Sequence, residues 1–314
     1  MREKGIFRIV VALLLLPLLL GVATADAKKK KKKPKSPPVT VVSASQNTSA
    51  DGQLVTVTAT CPAGQLAVGG GFTAPLVVSG TTLTDLHLIS ESRRVGDNGW
   101  QVTAGREHSS GPAASLPVTA SVDCRTATLR KKKGKKKRKT LRISEVSATG
   151  QLSSGSGGQS SATATCPAGT QALGGGFSSA PAPVLTGSNS FPVFFANYRS
   201  SPTSWLAAFT NSGSTQRAVT SYAYCASGLK LTETNAARTL PASSLAGIQS
   251  TTLASPNCAK GKALLGGGFN GTPPGPGGPL PILTGSAAAG SNWNFTVYNL
   301  SEVADNLVSQ GICA

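Results

Sequence analysis

One motif, written three times, constrains this chain more than any other feature. Cys61-Pro62-Ala63-Gly64 leads to Gly69-Gly70-Gly71-Phe72, Cys166-Pro167-Ala168-Gly169 leads to Gly174-Gly175-Gly176-Phe177, and Cys258 leads through Gly261 to Gly266-Gly267-Gly268-Phe269. The step from Cys to Phe is 11 residues in every copy. A Trp follows that Cys by 39, 39 and 35 residues (Trp100, Trp205, Trp293), and a second Cys by 63, 59 and 55 (Cys124, Cys225, Cys313). The copies therefore run over 39–127, 140–228 and 229–314, with a basic linker at 128–139 and almost none before the third.

Within a copy the apolar residues alternate. Val55, Val57, Ala59 and Cys61 fall on one side of a strand with Thr56, Thr58 and Thr60 on the other, the pattern of a half-buried strand. Val118 to Cys124 repeats it, and the segments opened by Trp100, Trp205 and Trp293 put Val102 and Ala104, Ala207 and Phe209, Phe295 and Val297 on the Trp side. Each copy opens on a further alternating segment, near Val39–Val42, Leu141–Ser147 and Leu229–Thr234. A Val-Val-Ser-Gly-like element at 77–80, 184–187 and 282–285 is a further shared feature. Helical periodicity is sustained nowhere. The expectation is an all-β chain of three tandem small antiparallel sandwich or barrel domains, each with one disulfide.

Six cysteines allow fifteen pairings. Two equivalent cysteines per copy select Cys61–Cys124, Cys166–Cys225 and Cys258–Cys313. Closing loops of this length stabilises by about 4 kcal/mol on the chain-entropy model. A metal site is disfavoured because there is no Cys-x-x-Cys pair and there are two histidines in all.

The triple glycine invites a phosphate-loop reading, but neither a following helix nor a Lys-Ser/Thr accompanies it. Glycines inside a strand instead mark a bulge or a close crossing, with the Phe filling a core. Trp100, Trp205 and Trp293 read first as core residues; the alternative is a carbohydrate-binding array in which they stack on sugars. A hydrolase would have to use His87 and His108, which adjoin Asp85 and Glu107 in the first copy without counterparts in the others, and no nucleophile motif accompanies them. The expectation is a non-catalytic protein with no cofactor and no metal.

Met1 to Ala27 reads as a signal peptide: Arg2, Lys4 and Arg8 precede the apolar run Ile9–Val22, and Ala25-Asp26-Ala27 is a small-x-small cleavage site. That run is short for a membrane span, so no transmembrane segment is expected after cleavage. The net charge of +18 is local. It resides in a Lys/Pro-rich tether at 28–38, with Lys28, Lys29, Lys30, Lys31, Lys32, Lys33 and Lys35, and in Arg130, Lys131, Lys132, Lys133, Lys135, Lys136, Lys137, Arg138 and Lys139 of the linker, continued by Arg142. Outside these and the signal peptide, ten basic residues face ten acidic ones. The runs read as extended, solvated spacers or as ligands for anionic polymers such as those of a cell wall. Nucleic acid is disfavoured, because an exported chain seldom meets it and no aromatic interleaves the lysines.

The Cys-Pro-x-Gly…Gly-Gly-Gly-Phe…Trp…Cys repeat resembles poorly characterised exported proteins of high-GC Gram-positive bacteria. The resemblance covers nearly all of 39–314 and implies export from such a cell, with no particular reaction. The third copy departs from it, with Asn257-Cys258-Ala259-Lys260-Gly261 and a Pro/Gly insert at 272–281.

Overall fold

A computed structural model of the chain describes residues 39–48, 52–79, 82–108, 115–129, 139–153, 155, 157–181, 191–243, 247–273 and 281–314. The signal peptide, the 28–38 tether, Arg130 to Arg138 and residues 184–187 lie outside them. Among these residues every regular element is a strand. The first copy supplies β1 (Thr40–Thr48), β2 (Leu54–Thr60), β3 (Gln65–Thr73), β4 (Val77–Ser79), β5 (Thr82–Val95), β6 (Gly99–His108) and β7 (Leu116–Thr126). β8 (Thr128–Leu129) and β9 (Lys139–Thr140) flank the basic linker and pair with each other. The second copy supplies β10 (Ile143–Thr149), β11 (Gln159–Thr165), β12 (Gln171–Ala180), β13 (Pro192–Ser201), β14 (Ser204–Asn211) and β15 (Ala218–Ala226). The third supplies β16 (Thr232–Leu240), β17 (Gln249–Ala254), β18 (Leu264–Asn270), β19 (Pro281–Ala289), β20 (Asn292–Asn299) and β21 (Asp305–Cys313).

The chain is all-β and antiparallel, with three principal sheets and the three disulfides within copies. The alternation read from the sequence sets the faces: Val55, Val57 and Ala59 are buried, and so are Trp100, Val102 and Ala104 with their counterparts. The Val-Val-Ser-Gly-like element is not equivalent throughout. Val77–Ser79 forms the short β4, whereas Ile282–Gly285 lies inside β19, because in the third copy the element stands 13 residues after the Phe and 11 before the Trp, against 5 and 23 in the first.

Sheet boundaries do not coincide with copy boundaries. The 1/3 sheet has order β1-β7-β3-β19-β20-β17, the 1/2 sheet β10-β15-β12-β5-β6-β2 with β4 beside β5, and the 2/3 sheet β11-β14-β13-β18-β21-β16. Each copy thus gives three strands to each of two sheets, and the pairing is cyclic. At the seams Phe72 lies opposite Ser286, Phe177 opposite Ser92 and Phe269 opposite Asn197. Each seam satisfies strand edges that would otherwise be open pairing templates.

The disulfides span the same architecture. Cys61 follows β2 in the 1/2 sheet and joins Cys124 of β7 in the 1/3 sheet, and the other two bonds repeat this between the remaining pairs of sheets. The Cα separations are 5.5, 5.6 and 5.7 Å, inside the range an unstrained bridge requires.

Candidate functional site

The Gly-Gly-Gly-Phe motif holds the seams together. Each run carries a register shift immediately before its first glycine, the bulge expected of glycine inside a strand. The first glycines meet one another: a Cβ on Gly69 would overlap the Leu265 carbonyl, and one on Gly266 would come 3.8 Å from the Cα of both Gly174 and Gly69. A Cβ on the middle glycines would enter the rings of Trp100, Trp205 and Trp293, and one on the third glycines would strike the backbone of Ser286, Ser92 and Asn197 across each seam. The phenylalanines converge in the core, with Phe72 and Phe269 both edge-on to Phe177 at 6.4 Å. No side chain larger than hydrogen fits the second and third positions, so the motif is a packing device.

The indoles complete it. Trp100, Trp205 and Trp293 are at most 2% exposed. Their Nε1–H groups donate to Ser92 Oγ at 3.0 Å, Asn197 Oδ1 at 2.7 Å and Ser286 Oγ at 2.9 Å. These acceptors are the residues whose backbones cross the seams. The carbohydrate-stacking alternative for Trp100, Trp205 and Trp293 is therefore corrected: with a glycine beneath each ring and the core around it, no indole face is open to a sugar.

His87 and His108 lie at a buried polar cluster of the first copy. Asp85 accepts from Arg106 in an ion pair almost without solvent contact, and lies 2.9 Å from His108 Nδ1. Arg106 also donates to the Thr48 carbonyl at 3.1 Å. Burial pushes the Asp85 carboxyl up, but the hydrogen bonds from Arg106 and His108 outweigh it and hold the group below its ordinary value. His87 is 3.1 Å from the Pro75 carbonyl through Nδ1, and because a carbonyl only accepts, Nδ1 carries the proton. Nε2 lies 2.7 Å from the Thr48 hydroxyl, which also reaches the Leu116 carbonyl at 3.2 Å, and burial pushes the pKa of His87 down, favouring the neutral ring. Six residues after each Trp, Arg106 occupies the position of Asn211 and Asn299, both buried and both donating to nearby carbonyls. The cluster thus fills in copy 1 a place that an amide fills in copies 2 and 3. Both histidines are engaged with carbonyl, hydroxyl or carboxylate partners in that packing.

Among the described residues no three His, Cys, Asp or Glu side chains gather as metal ligands. Where the three copies meet beside His87, Pro192 and Pro281 there is room for about one water, 20 Å³. The lysines of the first run and Arg130 to Arg138 lie outside the described residues. Of the second run the backbone of Lys139 is described, opposite Leu129.

One concavity among the described residues is a feature that sequence reasoning missed. It lies on the outer face of the 2/3 sheet, a 380 Å³ groove beside Tyr198 that continues past it as a 230 Å³ depression. Its only prior signal was the loss of alternation at Phe194-Phe195-Ala196, where a bulge turns Phe195 to the outer side.

Neither a scan of protein-family models nor a search of curated proteins gave a match to this chain.

Proposed function

We propose that this chain is a secreted, non-catalytic structural or adhesive protein whose lysine-rich segments hold it at anionic cell-surface polymers. Three disulfides in a β protein are consistent with an extracellular location. The observation that carries the reading is the segregation of charge: the repeats balance ten basic against ten acidic residues, and the excess sits in 28–35 and 130–142. The β8–β9 ladder supports it further, since Leu129 and Lys139 are paired and the second run leaves and rejoins the sheets at one place. Attraction of this kind contributes about 1 kcal/mol per basic residue near an anionic surface and is screened by salt.

The test is a salt-titrated pull-down on isolated cell walls, comparing the mature chain with a variant in which the lysines and arginines of both runs are replaced by serine. Retention should fall steeply with salt and be absent in the variant. Equal retention of the two proteins at every salt concentration would end the tether role.

A further inference from the structure

The three sheets place equivalent residues on their outer faces, so the faces can be compared position by position. On the 1/2 sheet these positions form a closed network. Arg93 stands 5.3 Å over the Tyr222 ring, Glu91 accepts from Arg93, from Gln101 at 3.1 Å and from Thr103 at 2.8 Å, and Tyr222 hydrogen-bonds Ser178 at 3.1 Å. On the 2/3 sheet, at the same distances from the Trp and Cys landmarks, Glu91 and Thr103 are replaced by Ala196 and Ala208, and Arg93 and Gln101 by Tyr198 and Leu206. Nothing rises from the two alanines. The 380 Å³ groove is the space left above them, walled by Tyr198 and Leu206, and its volume suits a small-molecule site.

Past Tyr198 the character changes from apolar to amide. Asn270 and Asn235 line the continuation, and the Glu233 carboxylate there is held by Arg199 at 2.7 Å. The charges cancel, so the groove favours neither an anion nor a cation. Cross-strand pairs lead from Ala208 through Ala196, Asn270 and Val308 to Ala237, with Tyr198, Gln310 and Asn235 beside that line. That crosses five strands, about 19 Å at the usual strand spacing.

We propose that this face binds a neutral oligosaccharide, with the half-buried Tyr198 ring as its stacking platform. A sugar ring offers an apolar C–H face, which packs on an aromatic ring, and hydroxyls at its rim, which need donors and acceptors together. An amide supplies both. An acidic polymer would need surplus positive charge here, a β-strand partner would need a free edge rather than a face, and an acyl chain would leave the amides unpaired. The site is separate from the lysine runs and does not depend on the tether reading.

Affinity electrophoresis of the mature chain tests this at high salt, which screens the lysine runs, in gels containing soluble β-glucan, xylan, mannan, galactomannan or starch. At least one should retard the protein. Tyr198→Ala should weaken that retardation about tenfold or more, and Ala208→Arg, which fills the floor of the groove, should abolish it. Tyr298→Ala, which removes a half-exposed tyrosine from the 1/3 sheet, should leave it unchanged, with both tyrosine variants melting near the parent. Absence of retardation in every gel, retardation indifferent to Tyr198→Ala and Ala208→Arg, or a concentration-dependent dimer in sedimentation velocity that Tyr198→Ala dissolves would each overturn the proposal, the last in favour of a second copy seated on this face.

Discussion

The 1/2 and 1/3 seams share a backbone and differ in what is buried beside it. Opposite the first glycine of the 1/2 seam stands Tyr224, edge-on to Trp100 at 5.7 Å, with its hydroxyl accepting the Arg94 backbone N–H at 2.6 Å. The same position of the 1/3 seam is Asp123, wholly buried, with Oδ2 unpartnered, and the residue corresponding to Arg94 is Ala288. In the 2/3 seam it is Ile312, packed with Trp205 and the Cys166–Cys225 bond. A phenol, a carboxyl and an alkyl group thus occupy one backbone site. Glycine, Phe, Trp and Cys specify how the copies join, and the neighbouring side chains adjust how firmly each junction holds and at which pH.

The largest effect should come from removing one partner of the 1/3 seam while keeping the 1/2 seam whole. A chain ending at Gly228 retains every strand of the 1/2 sheet but leaves β3 and β13 without their third-copy neighbours. Two exposed central strands are open pairing templates, so the truncated protein should lose its sharp thermal transition and sediment as heterogeneous aggregates. Independent modules would instead give an unchanged transition for residues 39–228 and a monomer, which would refute cyclic closure as the source of stability.

That closure is the part of the fold least legible in the sequence. Strand alternation exposed the buried faces because a period of two is local, and the copy number paired the cysteines. The glycines marked close crossings, but what crosses them comes from another copy, roughly 70 to 215 residues away along the chain: Ser92 over Gly176, Asn197 over Gly268, Ser286 over Gly71. A repeat that buries its own Trp reads the same whether its edge strands pair at home or abroad. The Tyr198 groove was hidden for a related reason. Ala196 and Ala208 are unremarkable small residues until the partner strand shows that Glu91 and Thr103 hold their places elsewhere. The tryptophans were legible as core from their place at the head of an alternating strand, and their hydrogen-bond acceptors were not.

The second way to sharpen the contrast is pH. Burial pushes the Asp123 carboxyl up to about 7 from an ordinary 3.8. A raised acid binds its proton more tightly in the folded state, so the contribution of Asp123 to stability is highest below about pH 4 and is lost as pH rises through 7. The gap corresponds to on the order of 4 kcal/mol. Asp123→Asn keeps the shape without the charge, so it should raise the melting temperature by several degrees at pH 8 and hardly at all at pH 4. Asp305, also pushed up by burial, adds a slope of the same sign. His87, pushed down by burial, costs stability as pH falls below about 6.5, and Asp85, held low mainly against its burial by Arg106 and His108, loses its contribution below about pH 4. These three are common to parent and variant, so the difference between the two melting curves isolates Asp123. An equal difference at both pH values would show that the carboxyl is not protonated by its surroundings.

The smallest effect belongs to the other seam. Tyr224→Phe keeps the edge-on contact with Trp100 and removes the oxygen that accepts the Arg94 N–H. The donor left unpaired inside the protein should cost about 1–2 kcal/mol. Because burial holds the Tyr224 hydroxyl above its usual range, the residue is neutral throughout, and the loss should be the same at pH 4 and pH 8. Denaturant unfolding at the two pH values measures it directly. A flat penalty at Tyr224 beside a pH-dependent gain at Asp123 would assign the difference between the seams to this one position, whereas a pH-dependent loss at Tyr224→Phe would place a titrating group at the 1/2 seam as well and remove the contrast.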